Sequence, residues 1–211
     1  MATITAIKQQ KRNPQRVNLY LDGEFAFPLA KIVAAWLKVG QELSPEKIEA
    51  LQGDDAVEKA FQRALNFISY RPRSTAEVRR NLHKHKVPED VSQQIIDRLK
   101  RDGLLDDADF ARRWVADRNE LHPRGVYLLR MELRQKGIAD AIIEQSLTGL
   151  DEEELARRAA EKKARQLAAL EWQEFRKKCS AFLARKGFGY EIAADACRAV
   201  WQEVNELQNS N

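Results

Sequence analysis

The stretch RPRSTAEVRRNLHKHK, residues 71–86, decides how this chain folds. It carries six Lys or Arg and two His against a single carboxylate, Glu77. Ser74 and Glu77 fit the S-x-x-E capping box, in which each side chain closes a backbone N–H group at the helix start. Val78 and Leu82 are four apart and share one helical face. At about 100° per residue, Arg80 and Lys84 lie about 160° from Leu82 and point away from that face. The run reads as a capped amphipathic helix with a cationic outer side.

The same punctuation returns downstream. RPRS at 71–74 and HPRG at 122–125 are 51 residues apart. That shift places Val78 on Leu129, Leu82 on Leu133, Val87 on Ile138 and Val91 on Ile142. A further shift of 50 places Leu133 on Leu183, KGI (136–138) on KGF (186–188) and Ile142 on Ile192. An apolar register kept over two helices and a turn, three times, marks a structural repeat. The first repeat predicts helices over 55–69, 74–86 and 88–101. The second predicts them over 107–121, 124–136 and 139–148, and the third over 151–169, 171–186 and 189–206.

Residues 1 to 53 read differently. TITAIKQQ and RVNLYLDGEFAFPL alternate as strands do, and Asp22-Gly23 marks a two-residue hairpin turn. AKIVAAWLKVG predicts a short apolar helix ended by Gly40. LSPEKIEALQG predicts a second, with Ser44 as N-cap and Pro45 in the first turn. The expected fold is mainly α: tandem three-helix repeats in an elongated, curved array, with a small N-terminal β-hairpin and helix extension. The expected segments are 1–53, 54–103, 104–150 and 151–211.

Composition narrows the function. The chain has 211 residues, 44% of them apolar and 32% charged, with a net charge of +4. That charge tolerates polyanions without demanding them, so its location matters more than its total. Residues 55–103 carry 11 basic and 7 acidic groups, while the other segments are near balance. Within the repeats the middle helix takes the positive charge: Arg71, Arg73, Arg79, Arg80 and Lys84 in the first, Arg124, Arg130, Arg134 and Lys136 in the second. These nine are the candidate binding residues. If the middle helices line up, their cations form a stripe. Residues 176–186 are basic as well.

Catalytic signatures do not appear. There is no GxxxxGK[ST], HExxH or GxSxG. KGFGYEI has Ile192 where a dinucleotide loop needs a third Gly. Asp106, Asp107 and Asp109 form the tightest carboxylate cluster, and acidic N-capping explains them more simply than a metal-dependent nuclease does. His83, His85 and His122 lack a nucleophile partner. Neither a cofactor nor a metal is expected, and the chain reads as a non-enzyme. Cys179 and Cys197 read as small core residues in a reducing compartment. MATITAIKQQKRN lacks the apolar core of a secretory leader, and no apolar run is long enough to span a membrane. A cytoplasmic monomer is expected. Tyr70 and Tyr127 either stack on a base or pack at a helix end, the simpler role.

RPRSTAEVRRNL (71–82), LKRDGLLDDADFARRWVADR (99–118) and GVYLLRMELRQKGI (125–138) together resemble the RecX family, which modulates the RecA recombinase. The resemblance covers nearly the whole chain, with ITAIKQQKRNPQRVNLYLDGEFAFPL similar to the hairpin extension of some members. One departure is Lys86, where the other repeats have Gly. The resemblance implies binding in the groove of the RecA–DNA filament, with inhibition or tuning of strand exchange, ATP hydrolysis and coprotease activity in DNA repair and the SOS response. It also implies weak contact with single- or double-stranded DNA. A stand-alone helical DNA-binding protein is the alternative. Against it, PEDVSQQIIDRLKRD places its cations at the helix C-terminus, whereas helix-turn-helix readers present the N-terminal end.

Overall fold

The computed structural model describes the backbone of residues 1–209 and the side chains of residues 1–203. Four strands and nine helices occur among the described residues. They fall into two compact units, Met1–Pro72 with Val78–Leu104, and Arg73–Glu77 with Leu105–Asn211.

In the first unit, β1 (Ala2–Gln9), β2 (Arg16–Leu21), β3 (Glu24–Ala30) and β4 (Glu42–Leu43) form an antiparallel sheet in the order β3-β2-β1-β4. The β2–β3 turn is Asp22-Gly23, both with positive φ (50° and 89°), as a right-twisting two-residue hairpin requires. Ile4, Val17, Leu19, Leu29 and Leu43 fill one face and meet Leu51. β4 is only two residues long, too short for a periodic signal. Its Leu43 is nonetheless buried.

Two local expectations are corrected here. Residues 31–36 form turns rather than a helix. Ala34 is buried there, while Ile32, Trp36 and Val39 are exposed, so this short stretch has no packed face to offset helix nucleation. Conversely, Gly53 does not end a helix. α1 runs unbroken from Pro45 to Ser69, with Ser44 Oγ accepting from the Lys47 N–H at 3.3 Å. An interior Gly costs about 1 kcal/mol. Burial of Leu51, Ala60, Phe61 and Ala64 along the same helix outweighs it.

Asp55 of α1 fastens the sheet to this helix. Its carboxylate accepts from the Ala30 N–H at 2.6 Å and Arg16 Nη2 at 3.0 Å, and pairs with Lys59 Nζ at 2.8 Å. Burial pushes this acid up, but the hydrogen bonds from Arg16, Lys59 and Ala30 together hold it below its ordinary value. α2 (Thr75–Lys84) and α3 (Glu89–Arg101) complete the first repeat. Val78 and Leu82 are fully buried, as are Ile96 and Leu99.

The second unit holds α4 (Asp107–Leu121), α5 (Val126–Gln135) and α6 (Asp140–Leu147), then α7 (Glu152–Ala164), α8 (Trp172–Arg185) and α9 (Tyr190–Asn209). Phe110, Val115, Leu129, Leu133 and Ile143 form one core. Leu155, Phe175, Cys179, Leu183 and Cys197 belong to the next. Both cysteines are buried free thiols. Asp106 caps α4 by accepting from the Ala108 and Asp109 N–H groups at 2.8 and 3.0 Å, and Asp109 pairs with Arg112 and Arg113. Of the acidic cluster Asp106 is the cap, while Asp107 accepts from the Thr75 N–H at 2.8 Å.

Candidate binding surface

Ser74 of RPRS and Gly125 of HPRG each make a contact beyond their own helix. The Ser74–Glu77 capping box forms, with the Ser74 N–H donating to Glu77 at 3.2 Å and the Glu77 N–H donating to Ser74 Oγ at 3.2 Å. Ser74 Oγ in turn donates to the Lys136 carbonyl at 2.6 Å. One repeat on, the Gly125 N–H donates to the Lys186 carbonyl at 2.9 Å. So the residues opening α2 and α5 bond the carbonyls that end α5 and α8. Gly137 and Gly187 follow those carbonyls with φ of 77° and 86°. A Cβ on Gly137 would collide with the Ala76 side chain, and one on Gly187 with Leu128. Lys86 holds the same turn at φ 58° with its side chain exposed. It carries a modest backbone strain that the glycines avoid.

The nine candidate cations separate into distinct settings. On α2, Arg80 and Lys84 are exposed, and their charged ends meet no hydrogen-bond or ion-pair partner among the described residues. Arg79 turns back to α3, pairing with Glu89 and donating to Gln93 Oε1 at 2.6 Å. Arg71 donates to the Pro72 carbonyl at 2.8 Å, and Arg73 is half-buried.

In the second repeat each candidate has a carboxylate. Arg130 binds both oxygens of Glu144 at 2.7 and 2.9 Å. That hydrogen bonding to Glu144 raises the guanidinium above its ordinary pKa. Arg134 pairs with Asp140 at 2.8 Å. Lys136 pairs with Glu77 at 3.3 Å and lies over the Trp114 ring at 4.9 Å. Arg124 pairs with Glu132, which also accepts from Trp114 Nε1 at 2.9 Å and Arg118 Nε at 3.3 Å. Burial first, and the Arg118 charge second, push Arg124 below its ordinary value.

Register makes the contrast plain. Arg79 and Arg130 are equivalent under the 51-residue shift, and so are Gln93 and Glu144, so the same clamp between helices recurs. The outward positions of Arg80 and Lys84 become Met131 and Gln135 in α5, then Ala181 and Arg185 in α8. The doubly cationic outer face belongs to α2. Lys86, and Lys100 and Arg101 at the end of α3, are also exposed. So are Arg176 and Lys177 of α8, which the nine candidates omit although residues 176–186 read as basic. Tyr70 and Tyr127 do not pack at helix ends: they are 84% and 65% exposed, because the buried positions beside them belong to aliphatic side chains.

Among the described residues, no three His, Cys, Asp or Glu side chains are placed to hold a metal ion. No helix among them is long and apolar enough to cross a membrane.

These features define a class: a tandem three-helix repeat protein with a β-sheet extension and locally presented surface charge. Family models match four consecutive parts: the regulatory protein RecX N-terminal domain over residues 2–44, and the first, second and third RecX three-helix domains over 60–99, 106–147 and 151–197. The regulatory protein RecX of Bacillus subtilis (strain 168) is 35% identical over 211 positions, covering 98% of this chain and 80% of the relative. That of Clostridium botulinum (strain Alaska E43 / Type E3) is 34% identical over 205 positions, covering 94% and 96%. A crystal structure of regulatory protein RecX matches with a TM-score of 0.75 at 31% identity, over 91% of this chain and 97% of that one. RecX from Lactobacillus salivarius matches at 0.62 and 28% identity, over 70% and 97%. The chain belongs to the RecX family of regulatory proteins.

Proposed function

We propose that this chain binds the RecA–DNA filament and modulates it, mostly by inhibiting strand exchange, ATP hydrolysis and coprotease activity. The observation that carries the reading is its similarity, over nearly its full length, to proteins named regulatory protein RecX. The nine cations Arg71, Arg73, Arg79, Arg80, Lys84, Arg124, Arg130, Arg134 and Lys136 are the proposed contact set. Arg80 and Lys84 lead it, since no internal ion pair must be broken before they meet an acidic surface or a phosphate. Arg134 is next, because exposed pairs such as Arg134–Asp140 contribute only about 0–1 kcal/mol and exchange partners readily. Arg124 and Arg79 are tied more firmly and support the shape of the face.

The proposed parts are 1–53, 54–103, 104–150 and 151–211, acting as a cytoplasmic monomer without a cofactor or catalytic step. Direct contact with DNA is weak, in keeping with a net charge of +4. Titration into RecA alone, DNA alone and the preformed filament with ATP tests this. The expected result is far higher affinity for the filament. Equal affinity for bare DNA, falling steeply with salt, would replace the reading with that of a stand-alone DNA-binding protein.

A further inference from the structure

The ends of three helices in the second unit enclose a cavity of about 250 Å³. Leu121 and His122 from the end of α4, Lys162 and Lys163 from α7, and Phe182 and Lys186 from α8 line it. Three lysines therefore line one space, and the described lining residues include no carboxylate. Two of these lysines have ordinary internal roles. Lys162 Nζ donates to the Leu121 carbonyl at 3.2 Å, closing the end of α4, and Lys163 Nζ donates to Gln166 Oε1 at 2.8 Å.

Lys186 is different. Its ammonium lies 5.5 Å from the Phe182 ring centroid and meets no hydrogen-bond acceptor among the described residues. Burial first, then the charges of Arg124, Arg118 and Lys162, push it below its ordinary value. Arg118 and Arg124, two of the charges acting on it, are themselves paired with Glu132. Closing a helix end accounts for Lys162. Lys186, the C-cap of α8, also sits where a helix end favours a cation, but its half-buried ammonium is left without an acceptor among like charges.

We propose that this cavity is a phosphate-binding site that takes a polyphosphate tail or a stretch of phosphodiester backbone between Lys162, Lys163 and Lys186. A single carboxylate would leave two of the three charges uncompensated, whereas phosphate groups bring multiple charges and several acceptors. The volume is below that of a typical small-molecule pocket, about 300–1,000 Å³, which suits phosphate groups rather than a whole nucleotide. The Lys186 carbonyl receives the Gly125 N–H, so an anion here would brace the joint between the second and third repeats. This inference does not depend on the filament reading.

The test uses the full chain and pyrophosphate at low ionic strength, followed by thermal unfolding and calorimetric titration. Pyrophosphate is expected to raise Tm and bind at one site. Lys186→Gln and, separately, Lys162→Gln should each bind about tenfold more weakly, the effect of losing one charged hydrogen bond. Lys177→Gln, on α8 outside the cavity, should bind as the parent does. Two variants guard against one that folds poorly. Competition with ADP and with a 5′-hydroxyl single-stranded oligonucleotide then separates the two sources, and displacement by either sustains the site. Displacement by neither makes pyrophosphate an adventitious ion only and overturns the proposal. So does a Tm rise matched by sodium chloride of equal ionic strength, or undiminished binding by both variants.

Discussion

α2 and α5 hold equivalent places in consecutive repeats, with the same buried residues in register and opposite uses of charge. Val78 and Leu82 are buried in α2, Leu129 and Leu133 in α5. On the outside, α2 presents Arg80 and Lys84 without partners, while α5 has Met131 and Gln135 there and ties Arg130 and Arg134 to α6 carboxylates. The repeat thus keeps its core and its inter-helix clamp constant and leaves the outer face free to vary. Surface positions tolerate this because they hold little of the stability, and core positions do not.

The comparison is tested most severely in the core. Leu82→Ala and Leu133→Ala should each lose about 3 kcal/mol, the ordinary cost of a large-to-small change at a fully buried site. Urea denaturation would show it, and a loss at one position only would break the equivalence. Gly137→Ala should lose about 2–3 kcal/mol, combining positive-φ strain with the clash against Ala76.

The extension offers a third test. Asp55→Asn should lose about 2 kcal/mol at neutral pH, since it leaves Arg16 without its carboxylate. The folded acid lies below its ordinary value of 3.8, so its contribution is present above that value and lost as pH falls through the lower folded one. Parent and variant should therefore converge in Tm as pH is lowered into that range. A constant gap would remove the ion pair from the explanation.

Surface effects are smaller. Arg80→Ala with Lys84→Ala should weaken the proposed filament inhibition about tenfold with the helical signal intact. Arg130→Ala with Arg134→Ala should change inhibition less and stability more. Equal effects on inhibition would erase the proposed distinction between α2 and α5. Lys86→Gly should gain at most about 1 kcal/mol by relieving strain at φ 58°, where Gly137→Ala loses more. A loss at Lys86 would mean that the turn depends on the lysine side chain.

Much of the fold is legible in residues 71–148. Capping residues, glycine stops and a 51-residue register locate five helices there, because these signals act within a few residues of the backbone they control. The turns at residues 31–36 and the unbroken α1 were not legible. In both, local pattern competes with burial: the first lacks a packed face, and the second has one that overrides Gly53. Candidate cations were legible by residue type but not by state. Helical geometry already turned Arg80 outward, but nothing in the sequence tells that Arg79, beside it, pairs with Glu89.

Sequence alone determined the repeat, its helical faces, the Asp22-Gly23 turn and an acidic cap at Asp106 or Asp107, all of which rest on short-range backbone and side-chain chemistry. The tertiary structure decided which charges are neutralised and which glycines are obligatory. It also brought His122, Lys162 and Lys186 to one cavity from positions up to 64 residues apart. Those outcomes depend on distances across helices, which no periodicity along the chain encodes.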